Sequence, residues 1–109
     1  MATIYSIPFH VTRMPRSIMP ADFAGAFVRC YAGGGLPEVA FQRMLDKLVK
    51  DGLHPKEILD PIHTMDTSDW SGHVLETWPE YPYALPDQFD FENEIFGGGV
   101  VYGLFGSYS

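Results

Sequence analysis

Residues 20–51, PADFAGAFVRCYAGGGLPEVAFQRMLDKLVKD, decide how the rest of the chain is read. Pro20 suits the first turn of a helix, where its missing donor is not needed. Phe23, Ala26, Phe27, Cys30 and Tyr31 then recur at spacings of three and four, the repeat of an amphipathic helix. Gly33, Gly34 and Gly35 end it, because three glycines lose too much backbone freedom to stay helical. A second helix starts at Leu36-Pro37-Glu38, with the proline early and the acid near the positive end of the dipole. Ala40, Phe41, Met44, Leu45 and Leu48 form its apolar stripe. Lys47 and Lys50 sit at the end that favours cations, and Gly52 is a natural cap. The spacing therefore predicts a helical hairpin over residues 20–51 with a glycine hinge.

On the N-terminal side, residues 3–11 (TIYSIPFHV) alternate. Tyr5, Ile7, Phe9 and Val11 share one face, which predicts a strand. Pro8 has no N–H, which favours an edge position for it. On the C-terminal side, Pro55 to Leu59 reads as one helical turn and residues 62–69 as a loop. Residues 66–94, DTSDWSGHVLETWPEYPYALPDQFDFENE, hold both tryptophans and eight carboxylates, with no lysine or arginine. Trp70, Val74 and Trp78 have helical spacing, but Gly72, Thr77 and Pro79 suit a strand, so the reading is a strand over 73–78. Residues 79–86 (PEYPYALP) predict an extended, stiff connection. Phe89 and Phe91 alternate with Asp90, Glu92 and Glu94, which predicts a half-buried strand with an acidic outer face. Gly97–Gly99 then turns into a last strand over 100–105.

The expected fold is α+β, one domain over 1–109, with three named parts. They are the helical hairpin 20–51, the acidic aromatic loop and strand region 66–96, and the C-terminal strand 100–105. A small antiparallel sheet, built from the N-terminal strand and the C-terminal strands, would pack against the two-helix hairpin.

Charge narrows the function. The formal charge is −7 and the sequence pI near 4.8. Residues 1–50 carry +3 and residues 51–109 carry −10. A general basic field for nucleic acid is absent, so no direct nucleic-acid partner is expected. Such asymmetry can present one acidic face to a basic partner. A single cysteine, Cys30, excludes an internal disulfide and a cysteine-rich metal site, and fits a reducing compartment. No charged start precedes an apolar core at the N-terminus, and no run has the length of a membrane span. The expectation is a cytoplasmic protein with no membrane partner.

Motifs for catalysis are weak. His54, His63 and His73, with Asp60, Asp66 and Asp69, lie within twenty residues, but at spacings that match neither a helical nor a strand ligand pair. Cys30 on an apolar face is a packing thiol with a raised pKa. The glycine triplets lack the lysine of a phosphate loop. No G-x-S-x-G elbow is present. The expectation is a protein that is not an enzyme and has no metal or cofactor.

What remains is aromatic rings interleaved with acids. Trp78, Tyr81 and Tyr83 are expected to anchor a partner, among Asp69, Glu76, Glu80, Asp87, Asp90, Glu92 and Glu94. Tryptophan and tyrosine bury much area for little lost rotamer freedom. Regularly spaced carboxylates can imitate a phosphate backbone. Small acidic proteins encoded by phages and mobile elements, including anti-CRISPR and DNA-mimic proteins, share this size and charge. By that analogy the leading expectation is an inhibitor or adaptor. It would occlude a basic surface of a nucleic-acid-handling protein or complex, in the host cell cytoplasm if phage-encoded. One alternative is a structural or assembly protein that self-associates, as a homodimer, through its C-terminal strand. Another is a metal-dependent enzyme using His54, His63 and His73.

Overall fold

The computed structural model describes residues 2–109. Its longest strand, β1 (Thr3–Arg13), runs antiparallel to β2 (Gly25–Ala32). On its other side β1 pairs with β3 (Leu53–Ile58) along residues 9–13 and with β4 (His63–Asp66) along residues 3–6. β2 is bordered in the same way by β5 (Val100–Tyr102) and β6 (Gly106–Tyr108). The sheet order is β3-β1-β2-β5, with β4 and β6 continuing the two borders. Three helices complete the fold: α1 (Pro37–Lys50), α2 (Trp70–Thr77) and α3 (Gln88–Phe96). The chain is α+β with an antiparallel sheet, as its sequence predicts, but three helices replace the expected two-helix hairpin.

The first half of that hairpin is β2. Its residues satisfy both periods: Ala26, Val28, Cys30 and Ala32 alternate onto one face and are buried there. The other face carries exposed Phe27, half-buried Arg29 and buried Tyr31, and its two aromatic rings blur the polar alternation, so periodicity alone cannot tell the run from a helix. Non-local pairing with β1, Ile7 opposite Cys30 and Phe9 opposite Val28, decides the outcome. The glycine triplet 33–35 ends a strand, not a helix.

Pro8 lies in an interior strand, contrary to its expected edge position. The Arg29 carbonyl, opposite Pro8, accepts from the Gly103 N–H at 2.8 Å on the far side of β2. The Pro8–Arg29 pair therefore exchanges no backbone bond, and Pro8 turns its backbone toward the other neighbour. There its carbonyl accepts from the Leu59 N–H at 2.9 Å, just past the end of β3. The missing donor falls in the gap between β3 and β4, where no ladder bond is lost.

α1 forms as its stripe predicts. Pro37 opens it, and Ala40, Met44 and Leu48 are buried against Ile7, Phe9, Val11, Val28 and Cys30. Phe41 and Leu45 are partly buried on the same core. The opposite face of the sheet carries a second core, in which Ile4, Tyr31 and Val101 meet Trp70 and Val74 of α2 and Phe91 and Ile95 of α3. Both of these helices occupy segments whose sequence predicts strands, 73–78 and 88–96. Residues 55–59, expected as a helical turn, lie mostly in β3, and the expected loop 62–69 contains β4 and a short 3-10 turn, Thr67–Asp69. The extended connection 79–86 contains another such turn, Pro82–Ala84. The expected strand 100–105 stops at Tyr102.

Candidate functional site

Residues 66–96 fold as one layer over the sheet, on the face away from α1. The Asp66 carboxylate starts it, accepting from the Ser68 N–H at 3.0 Å and the Ser68 hydroxyl at 2.9 Å. These bonds hold the Asp66 carboxyl below its ordinary range. Trp70, fully buried, is the layer's anchor. Its ring stacks on Phe91 at 4.0 Å and 3°, and its indole N–H donates to the Pro86 carbonyl at 2.8 Å. One side chain thus ties α2 to α3 and to the connection between them. Gln88 adds a second tie, donating to the Thr67 carbonyl at 2.7 Å and accepting from the Ser71 N–H at 2.9 Å.

The ten residues expected to meet a partner all belong to this layer, but not all reach its outside. Asp69, Glu76, Glu80, Tyr81, Asp87, Asp90 and Glu94 are exposed, and Tyr83 is 99% exposed. Trp78 is half-buried: its ring lies against Gly103 and stands edge-on to His73 at 5.8 Å. A Cβ on Gly103 would meet that ring at 2.7 Å, so the close approach requires glycine. Trp78 is therefore a packing residue. Glu92 is half-buried and accepts from the Gln88 side chain at 2.8 Å. Asp87 has a structural task as well, capping α3 by accepting from the Asp90 N–H at 2.8 Å.

Three exposed apolar side chains in the same layer escape the sequence reading: Leu75, Phe89 and Phe96. The signal was present for Phe89. Taken as a helix, residues 88–96 put Phe91 and Ile95 on the buried side and turn Phe89 outward.

Among the described residues the ion pairs are Lys47–Asp51 and, when His10 is protonated, His10–Glu57. None of the eight carboxylates between Asp66 and Glu94 takes part. Asp90 and Glu94, one turn apart on α3, also line an open groove of about 710 Å³. Leu85, Leu104 and Phe105 supply apolar wall, and Lys47 and Asp51 face them from the end of α1. The outer border of β5 forms part of this groove. Gly103 bonds Arg29, so the alternate residues Tyr102 and Val100 turn their backbone groups outward. The Tyr102 hydroxyl donates to Asp51 at 2.8 Å, and burial together with that carboxylate pushes its pKa up.

The remaining singled-out residues separate. Cys30 is buried between the sheet and α1, where desolvation raises its pKa and makes it inert. His63 and His73 share a cavity, whereas His54 lies on β3 opposite Thr12. Among the described residues no three histidine, cysteine, aspartate or glutamate side chains converge as a metal site. No described helix is long and apolar enough to cross a membrane. Comparison with protein-family models, with curated proteins and with solved structures finds no match.

Proposed function

We propose that this chain is a protein-binding inhibitor or adaptor that presents the layer 66–96 to a basic surface of a nucleic-acid-handling protein. The observation that carries this reading is the state of its carboxylates. Eight of them stand in one layer that contains no lysine or arginine and, among the described residues, forms no ion pair. Exposed Tyr81, Tyr83 and Phe89 stand among them. Charge of one sign raises the rate of encounter with a basic partner, and exposed rings supply area that can be buried afterwards. The groove beside Asp90 and Glu94 offers an arginine or lysine side chain two carboxylates at one turn's spacing.

Such a surface competes with nucleic acid for the same cations. The test uses an arginine-rich peptide bound to a fluorescent DNA duplex. The chain should release the duplex, and release should weaken sharply between about 50 mM and about 500 mM salt as the screening length shortens. The triple variant Asp87→Lys, Asp90→Lys, Glu94→Lys should lose it. Failure of the native chain to displace the duplex at low salt would sink the proposal.

A further inference from the structure

We propose that the cavity between the sheet and α2 is a binding site for a phosphate group, held by Arg29, His63 and His73. This cavity, about 400 Å³, is separate from the acidic groove and does not depend on the function proposed above.

Its residues are placed by strand register. His63, Ser6 and Tyr31 form one row across β4, β1 and β2. Arg29 lies two residues from Tyr31, on the same face of β2. α2 crosses above and brings His73 and Thr77, one turn apart, to the cavity wall. Ser6 is buried at the base, and His63 is exposed at the mouth.

Arg29 and His73 are held before any ligand arrives, His73 with its Nδ1 3.5 Å from the Thr77 hydroxyl, whereas His63 is an exposed side chain at the edge of the cavity. One terminal nitrogen of Arg29 donates to the Ser6 hydroxyl at 2.9 Å and to the carbonyls of Ser6 and Pro61 at 3.2 and 3.1 Å. Among the described residues its other nitrogens make no hydrogen bond. His73 Nε2 pairs with the Tyr31 hydroxyl at 2.7 Å. The walls consist of cationic, imidazole, hydroxyl and thioether groups, with no carboxylate. In a chain with twice as many acids as lysines and arginines, this guanidinium is half-buried and, among the described residues, has no carboxylate partner. An anion completes it, because a partly desolvated charge is stabilised by a hydrogen-bonded counter-charge.

The spread of the donors over three elements selects the anion. They come from β2, from β4 and from α2, so they surround a tetrahedral group better than they match the planar two-oxygen edge of a carboxylate. The substituent of a phosphate ester would leave past His63.

The charged and titratable groups facing His73 are Arg29 and Tyr31 from β2, His63 from β4, and Glu76 on α2 itself. A bound dianion opposes the first of these and raises the His73 midpoint. NMR of the imidazole protons, during titration with inorganic phosphate, reads this directly. Saturable shifts are expected for His63 and His73, none for His10 and His54, together with a raised His73 midpoint. His63→Gln should keep the fold and weaken binding about tenfold, the loss of one charge-assisted bond. Arg29→Gln should abolish saturation; if that variant does not fold, His63→Gln decides. Glycerol phosphate in a parallel arm tells an ester from the free ion, and saturable binding of either supports the site. Acetate should bind more weakly than phosphate. Non-saturating shifts spread over all four histidines, unchanged affinity in His63→Gln, or equal binding of acetate would each overturn the proposal.

Discussion

Burial, with help from the Arg29 guanidinium and His63, holds the His73 imidazole below its ordinary value of 6.5, and Glu76 opposes them. The native state therefore favours neutral His73, while the unfolded chain takes up a proton near 6.5. His73 contributes stability that is full above 6.5 and is lost as the pH falls through the lowered native value. Urea midpoints should be flat above 6.5 and decline below it, and His73→Gln, which can still accept from Tyr31, should decline less steeply. Equal slopes for the two proteins would show that His73 does not report on folding. Tyr31, its partner, is pushed up to about 12, chiefly by burial, so it stays protonated throughout this range. Neither residue's place was legible in sequence. Read as helical, Tyr31 belongs to an apolar stripe, and only the pairing of β1 with β2 turns it away from Cys30 and toward α2.

At the scale of elements, α3 shows why one helix resembles a strand in sequence and another does not. α1 is fourteen residues long, with a stripe that no alternation imitates. α3 is nine residues long, and Phe89, Phe91 and the acids between them imitate a strand. What fixes α3 is its start: the Asp87 carboxylate bonded to the Asp90 N–H, then Phe91 and Ile95 one turn apart against Trp70 and Val101. Asp87→Ala should therefore destabilise the fold by about 1 kcal/mol, read by denaturant unfolding. Asp87→Asn should lose far less, because asparagine can also cap. β2 shows the opposite failure, a strand whose outer face carries the rings of Phe27 and Tyr31 in place of polar residues, which erases the alternation that would mark it. β1 was legible because its outer residues stay partly polar, and only its Pro8 misleads.

At the scale of the whole molecule, size and charge act together. The molecule measures 39 × 32 × 24 Å and carries −7. At about 10 mM salt the screening length is about 30 Å, comparable to the molecule, and at about 150 mM it is about 8 Å. The carboxylates of the layer 66–96 therefore repel one another across the whole layer only in dilute salt. The melting temperature should rise by a few degrees between those conditions, about what 1 kcal/mol produces in a chain of this length. The rise should shrink in the Asp87→Lys, Asp90→Lys, Glu94→Lys variant. Thermal melts of both proteins at the two salt levels check it. The α+β class and the acidic bias of the C-terminal half were legible at this scale. The layering was not, because it depends on which face of the sheet each helix takes.

Each border of the sheet is made of two short pieces in place of one long strand. β3 and β4 have six and four residues, β5 and β6 three each, and Pro55 removes a donor within the longest of them. A stray strand from another chain finds no unbroken row of free amides to extend. In a concentrated solution this geometry resists stacking into fibrils, and it leaves a second copy approaching β5 only Val100 and Tyr102 to grip.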